Sequence, residues 1–180
     1  VGVGGQGTLL TSRIIGKTAL SAGLDVKISE VHGMAQRGGS VVTYVRYGDK
    51  VYSPVVDKGQ ADVIISFEML EAARWVEYLK KDGMVIVNKK VVQPTTASLT
   101  GKTFEEGAMI EYLESVAKTV AVDTEQACED LKSSKVVNMV LLGAACKTGI
   151  IERDELKAAV KLLVKPDFYE LNCKAIDYCN

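Results

Sequence analysis

The spacing of the apolar residues changes repeatedly along this chain, from every second residue to every third or fourth. Residues 62–67 (DVIISF) form a continuous run of the kind found in strands that are covered on both faces of a parallel sheet. Residues 6–22 carry leucine and isoleucine at helical spacing and end at Gly23, which predicts a helix. Because neighbouring parallel strands need a crossover element, this alternation predicts an α/β fold with a mostly parallel sheet.

The same patterns place the other elements. Strands are predicted at residues 1–3, 26–31, 84–88 and 119–123, and helices at residues 68–80, at residues 110–117 and, with breaks near 133–134, 148–149 and 165–166, from residue 124 onward. Residues 40–56 hold two β-branched runs joined by Gly48-Asp49, a pair that favours a tight hairpin turn. We therefore predict one Rossmann-like layered domain over residues 1–180, with a hairpin after the second strand and a helical C-terminal portion. Residues 1–3 are typical of the end of a strand, so we expect a few residues to precede Val1.

Charge and composition argue against several classes of protein. Lysine plus arginine number 22 and aspartate plus glutamate 23, giving a formal net charge of −1 without a run of like charge. A nucleic-acid-binding surface needs clustered basic residues, and a membrane span needs about 18 or more apolar residues in a row, so neither is expected. The four cysteines match no zinc or iron–sulfur spacing, so we expect free thiols, no metal site and a cytoplasmic location.

The first residues contain a glycine motif. GVGGQG fits G-x-G-x-x-G through Gly2, Gly4 and Gly7, between a predicted strand and a predicted helix. Glycine lets a ligand approach the backbone, and the helix N-terminus attracts an anion. The dinucleotide fingerprint also needs an acidic residue roughly 20 positions on, where Glu30 lies. The motif alone favours an NAD(P)- or FAD-binding oxidoreductase, and the alternative is a tight turn without a ligand.

A second polar stretch follows the second predicted strand. Residues 29–41 (SEVHGMAQRGGSV) hold the only histidine, His32, together with Gln36, Arg37 and the pair Gly38-Gly39. A Rossmann half would continue with a crossover helix here, whereas the sequence predicts a hairpin. The topology therefore departs from the dinucleotide fold where the cofactor should lie.

Several segments together resemble a known family. Four segments carry the resemblance: GVGGQG, SEVHGMAQRGGSV, the strand-to-helix segment DVIISFEMLEAAR and NMVLLGA in the late helices. They resemble the gamma-type domain of 2-oxoacid:ferredoxin oxidoreductases, and within that family the enzymes that act on indolepyruvate. The resemblance runs over nearly the whole chain, and it is more specific than the glycine motif.

The resemblance implies a division of labour between subunits. In that family a thiamine diphosphate carbanion attacks the 2-oxoacid, carbon dioxide leaves, iron–sulfur clusters carry electrons to ferredoxin, and coenzyme A takes the acyl group. It implies that thiamine diphosphate, Mg²⁺ and the clusters belong to a larger alpha subunit. This chain would hold no cofactor alone, and it would be an accessory subunit that is inactive by itself.

The predicted site combines the two polar stretches, because both follow strands and we expect them at the same carboxyl edge of a parallel sheet. His32 and Arg37 are the candidate supporting catalytic residues, and the candidate cofactor-facing residues are Gly4, Gly5, Gln6, Gly7, Gln36, Gly38 and Gly39. Met34 is expected to fill an interface. The alternatives are that His32 satisfies a backbone carbonyl, that Arg37 is a solvated charge and that the glycines only make a turn. A self-contained nucleotide-dependent oxidoreductase and a non-catalytic binding module remain alternatives for the whole chain.

Overall fold

The chain folds into two three-stranded sheets with helices packed against them. In the computed structural model, which describes residues 1–35, 37–94, 97, 101 and 103–179, the first sheet is antiparallel and the second is parallel. The first has the order β1-β3-β2, with β1 at Gly2–Val3, β2 at Asp25–His32 and β3 at Ser40–Gly48. The second has the order β4-β5-β6, with β4 at Ala61–Ser66, β5 at Leu79–Asn88 and β6 at Lys118–Val122. The predicted α/β class is confirmed.

Val1 joins the two sheets. Its backbone nitrogen donates to the Ile65 oxygen at 2.8 Å, and its oxygen accepts from the Phe67 nitrogen at 3.0 Å. The chain entering β1 therefore lies between β3 and β4. A groove of about 670 Å³ is lined by residues of these two strands.

The helices fall close to their predicted positions. They are α1 (Thr8–Ser21), α2 (Met69–Trp75), α3 (Glu106–Val116), α4 (Thr124–Asp130), α5 (Val137–Cys146), α6 (Arg153–Leu163) and α7 (Tyr169–Asp177). The three predicted breaks after residue 124 are confirmed, two of them by short 3₁₀ turns at Ser134–Val136 and Pro166–Phe168. The helix predicted over residues 68–80 ends at Trp75 and passes through a 3₁₀ turn into β5.

A hairpin is present, but it is formed by β2 and β3 and not by the two predicted runs within residues 40–56. β2 and β3 pair antiparallel from Asp25↔Gly48 to His32↔Val41, so residues 33–39 form the connection. The turn predicted at Gly48-Asp49 is wrong, because residues 51–56 form no strand. β2 already occupies one edge of β3, and the chain after Gly48 is held instead by the Val51 nitrogen, which donates to Asp25 Oδ2 at 2.9 Å. Pro54 in this segment also lacks the N–H that a ladder needs.

The core is centred on α5, in which every residue from Asn138 to Ala145 is buried. A Cβ added at Gly143 would lie 2.1 Å from the Ile176 oxygen, so glycine allows α5 and α7 to pack closely. Asn138, at the start of this buried run, is itself buried. Burial of a core leucine or isoleucine stabilises the fold by about 1.5–3 kcal/mol. Within the described ranges, none of the helices is long and apolar enough to cross a membrane.

Candidate functional site

The two polar stretches are in direct contact. We call residues 4–7 the glycine loop and residues 33–39 the hairpin loop. The Gly4 nitrogen donates to the Gly39 oxygen at 2.8 Å, and the Gly38 nitrogen donates to the Gly4 oxygen at 3.2 Å. Both loops follow strands that run antiparallel to β3, so they emerge at the same edge. The expected shared edge is therefore present, but it arises from the antiparallel sheet and not from parallel neighbours.

Glycine is required at two positions of this contact. Gly7 is the N-cap of α1 and has φ 93°, in the left-handed region that other residues rarely adopt. At Gly39 a Cβ would lie 2.5 Å from the Ala35 oxygen within the hairpin loop. Both loops therefore depend on residues without a side chain.

The start of α1 faces this contact without a capping side chain. Gly7 provides no side-chain hydrogen bond, and the first turn carries no acidic residue. The first amide groups of a helix lack intrahelical acceptors and carry a partial positive charge. Gln6 does not supplement them, because its Oε1 accepts from the Val3 nitrogen at 2.8 Å and so braces the loop. Of the predicted glycine-loop residues, Gln6 has this structural contact and the glycines line open space.

A cleft of about 320 Å³ lies between the glycine loop and the end of β2. Its lining comprises Gly4, Gly5, Gly7, Thr8, Leu9, Glu30, His32 and Val41. Glu30 and His32 are two residues apart on β2, so they project from the same face of the strand. Thr43 Oγ1 is 3.4 Å from Glu30 Oε2. The cleft therefore brings a histidine and a carboxylate to the uncapped N-terminus of a helix.

The position of His32 is compatible with both a backbone-contact role and a ligand-binding role. Its Nδ1 lies 3.0 Å from the Gly33 oxygen, which is the backbone contact that the structural interpretation expects. The side chain is nevertheless exposed and lines the cleft, so its second nitrogen is available to a ligand. An imidazole nitrogen can form a hydrogen bond to a polar substrate.

The hairpin loop projects from the sheet. Met34 is completely exposed at 102%, Val31 is 53% exposed, and Arg37 is exposed as well. Among the residues that the structure describes, Arg37 has no ion-pair partner. Gln36, the remaining predicted site residue, lies outside the described residues. An apolar tip beside a free guanidinium is suited to contact with another molecule.

Two buried glutamates beside the site were missed by the sequence analysis. Glu68 is the N-cap of α2 and accepts hydrogen bonds from the backbone nitrogens of Leu70 at 3.0 Å, Val92 at 3.3 Å and Glu71. Burial raises the pKa of the Glu68 carboxyl, although these hydrogen bonds oppose the shift. Glu71 accepts from Ser40 Oγ and from Arg74 Nη1. The usual N-cap residues are serine, threonine, aspartate, asparagine and glycine, so no local signal indicated the N-cap role of Glu68.

The cysteines do not fit an iron–sulfur cluster. All four are free thiols, and burial raises the pKa of the Cys128, Cys146 and Cys179 thiols, which disfavours the thiolate that binds metals. No group of three or more metal-binding side chains occurs within the described part of the chain. These residues therefore offer no ligand set for an iron–sulfur cluster.

Comparison with known proteins places the chain in a family. The family model described as pyruvate ferredoxin/flavodoxin oxidoreductase matches residues 1–179. The chain is 41% identical to indolepyruvate oxidoreductase subunit IorB of Pyrococcus horikoshii, over 98% of this chain and 90% of that protein.

Solved structures share the fold. The gamma subunit of a keto/oxoacid ferredoxin oxidoreductase from Geobacter sulfurreducens superposes with a TM-score of 0.70 at 26% identity, over 98% of this chain and 90% of that one. Pyruvate oxidoreductase subunit PORC of Thermotoga maritima superposes with a TM-score of 0.74 at 23% identity and the same coverage. The match over nearly the whole length, joined to the two loops at one sheet edge, shows that this chain belongs to the pyruvate ferredoxin/flavodoxin oxidoreductase family.

Proposed function

We propose that this chain is the beta subunit of an indolepyruvate ferredoxin oxidoreductase, with arylpyruvates as the substrate class. The observation that carries this proposal is the 41% identity to an indolepyruvate oxidoreductase subunit over 98% of the chain. The reaction breaks the bond between the carboxyl and carbonyl carbons of the 2-oxoacid. Carbon dioxide leaves, the sulfur of coenzyme A takes the acyl group, and ferredoxin takes the electrons.

The partner of this chain is a larger alpha subunit in the cytoplasm. We assign thiamine diphosphate, Mg²⁺ and the iron–sulfur clusters to that subunit, because the described cysteines do not fit a cluster and the described residues hold no group of three metal-binding side chains. Bound to that subunit, thiamine diphosphate would provide the nucleophilic carbon needed for decarboxylation of the 2-oxoacid. Residues 1–180 act as one domain that contributes residues to the active site of the alpha subunit.

The hairpin loop faces the partner's active site. The support is geometric: Met34 is fully exposed at the tip, and Arg37 is an exposed cation whose planar fork fits a carboxylate or a phosphate. Arg37 binds a coenzyme A phosphate or the substrate carboxylate, and Gly38-Gly39 allow the backbone to come close. We also propose Gln36, which lies outside the described residues, as a hydrogen-bonding amide for the ligand.

The cleft supplies the second half of the proposed site. Gly4, Gly5 and Gly7 expose the first amides of α1 to an anionic group of the ligand. His32 lies on the opposite wall, where it holds or transfers a proton of the bound ligand. Binding in the cleft and contact at the hairpin loop are coupled through the two hydrogen bonds of Gly4.

The test compares the chain alone with the chain co-expressed with its candidate alpha subunit. Each preparation receives indolepyruvate, coenzyme A and either ferredoxin or a viologen dye, and dye reduction is followed. We expect no turnover from the chain alone and turnover that requires both coenzyme A and the 2-oxoacid from the pair. Turnover by the chain alone, or an assembled pair that is inactive with all 2-oxoacids, contradicts the proposal.

One observation favours a second candidate, a self-contained NAD(P)- or FAD-binding oxidoreductase. Glu30 and the glycine loop line the same cleft, as the dinucleotide fingerprint predicts. A carboxylate there can accept the ribose hydroxyls of a nucleotide. Thermal unfolding with NAD, NADP and FAD separates the two candidates, because only this second function predicts a rise in Tm. An absence of both turnover and nucleotide binding would indicate a non-catalytic binding module.

A further inference from the structure

Glu71 is a buried carboxylate that the proposed site does not use directly. Its side chain is 1% exposed and lies on α2, which packs beside the parallel sheet. Oε2 accepts a hydrogen bond from Ser40 Oγ, and Oε1 accepts one from Arg74 Nη1. Ser40 is the first residue of β3, so this contact joins the two halves of the fold at the base of the hairpin loop.

The residues that follow Arg37 are all held in place. Two backbone hydrogen bonds, at 3.2 and 2.8 Å, tie residues 38–39 to Gly4. Ser40 is then held by its side chain, through the contact with Glu71. Arg37 is therefore the first residue beyond a fixed segment, and its position depends on that segment.

A buried charge is an inefficient way to stabilise this junction. An ionised side chain loses its hydration on burial, and an apolar side chain of similar volume often stabilises a fold as well or better. Arg74 and the amides at the start of α2 offset the charge of Glu71. What the carboxylate adds is direction, because its two oxygens fix Ser40 and Arg74 at defined angles.

We propose that Glu71 is a positioning residue that fixes the hairpin loop through Ser40, and thereby holds Arg37 toward the active site of the partner subunit. This inference rests on the proposed function of the hairpin loop. It makes Ser40 and Glu71 part of the catalytic apparatus of the complex, although neither contacts substrate.

The first test is kinetic and uses the assembled complex. Ser40→Ala removes the hydroxyl but leaves Glu71 paired with Arg74, so the fold is retained. We expect kcat/KM to fall about tenfold, because a displacement of an ångström at a binding group has effects of this size or larger. Ser40→Thr keeps the hydroxyl and should recover most of the loss. Ser115→Ala, which removes an exposed hydroxyl from the end of α3, is the matched control and should equal the parent.

A double-mutant cycle separates positioning from a general structural role. If Ser40 acts through Arg37, then Ser40→Ala should change kcat/KM less than about twofold in the Arg37→Ala background. The same tenfold loss in both backgrounds would show that Ser40 acts independently, and it would overturn the proposal. If Arg37→Ala is impaired and Ser40→Ala equals the parent, only the positioning role fails. If an active complex tolerates both changes, the proposed role of the hairpin loop fails as well.

The second test needs no activity. Hydrogen–deuterium exchange is measured for the peptide that spans residues 33–41 in the parent, Ser40→Ala, Glu71→Gln and Ser115→Ala. Glu71→Gln keeps the side-chain shape but replaces one acceptor oxygen with a donor. We expect this peptide to exchange faster in Ser40→Ala and Glu71→Gln than in the parent. In Ser115→Ala it should exchange at the parental rate. Unchanged exchange in both would contradict the proposed anchor.

Discussion

The Gly4 nitrogen donates a hydrogen bond of 2.8 Å to the Gly39 oxygen. These two residues belong to the glycine loop and to the hairpin loop, the two stretches that the sequence singles out. The Gly38 nitrogen donates a hydrogen bond of 3.2 Å to the Gly4 oxygen, so the two loops form one continuous backbone surface. A ligand or partner at one loop is therefore linked to the other without any side chain between them.

Gly39→Ala should disturb this surface. The new Cβ would lie 2.5 Å from the Ala35 oxygen, so the hairpin loop has to shift. We expect a loss of about 1–3 kcal/mol in the free energy of unfolding, as for other overpacked sites, and a fall in activity of the complex. The control is Gly107→Ala in α3, where a Cβ would meet nothing within 4 Å. Gly107→Ala should be neutral or should stabilise the fold by up to about 1 kcal/mol. The measurement is urea denaturation, and equal midpoints for the two variants would contradict the prediction.

Arg37→Ala should separate stability from activity. Exposed side chains away from special features change stability by about 0.5 kcal/mol or less, so the Tm should be unaltered. A charge-assisted hydrogen bond contributes about 1.5–3 kcal/mol, which corresponds to a fall of roughly ten- to a hundredfold in kcat/KM of the complex.

Two further variants qualify the Arg37 result. Arg37→Lys should recover only part of the activity, because an ammonium group lacks the two-pronged geometry. Arg13→Ala, an exposed arginine on α1, is the control for loss of charge. Varying coenzyme A and the 2-oxoacid separately shows which KM responds, and parental values for both would identify Arg37 as a surface charge.

Glu68→Gln should destabilise the fold, although glutamine has nearly the same shape as glutamate. Both carboxylate oxygens accept backbone hydrogen bonds, and the amide group of glutamine would turn a donor toward another donor. A buried polar group left without its partner costs about 1–3 kcal/mol. Glu152 is the N-cap of α6 without a side-chain cap hydrogen bond, so Glu152→Gln is the matched control. Chemical denaturation of both variants decides the point, and equal losses would contradict the assigned role.

Asp25 should show a defined pH dependence. Hydrogen bonds from Lys27 and from the Val51 nitrogen hold the pKa of the Asp25 carboxyl below its usual value of 3.8. A lowered folded-state pKa stabilises the fold above the unfolded pKa, and this contribution disappears as the pH falls through the folded pKa. The stability gap between the parent and Asp25→Asn should therefore be largest near neutral pH and should close below about pH 3.8. A stability gap for Asp25→Asn that stays constant across this pH range would refute the prediction.

Local patterns were sufficient for most of the fold. The run at residues 62–67 and the apolar stretch around Leu141 predicted β4 and α5, because burial on all sides removes polar residues from a segment. The helix breaks were predicted because glycine, proline and paired serines interrupt helices locally.

The hairpin turn was not predictable from local residues. Gly48-Asp49 has turn chemistry, but β3 takes the preceding strand β2 as its hairpin partner from Val41 to Gly48, and residues 51–56 form no strand. Which segment pairs with β3 is a property of the whole sheet. The long connection over residues 33–39, which includes proposed site residues, takes the place of a tight turn.

The site was predictable in part. His32 and the glycine loop were expected at one edge because each follows a strand, although the structure reaches that edge through the antiparallel sheet and not through parallel neighbours. The contact between Ser40 and Glu71 joins residues 31 positions apart, and nothing in either neighbourhood indicates it. Side-chain pairs between residues far apart in the chain depend on how the fold packs, and the spacing of apolar residues along the sequence does not indicate them.

The central claim is that the hairpin loop faces the active site of a larger partner subunit. A photo-crosslinking amino acid in place of Met34, whose side chain is completely exposed, tests this most directly in the co-purified complex. We predict a crosslink to the partner subunit that coenzyme A or the 2-oxoacid diminishes, and no such crosslink from the same amino acid at Leu20, on the far end of α1. An assembled complex in which position 34 gives no crosslink to the partner, or one that no substrate affects, would contradict the account.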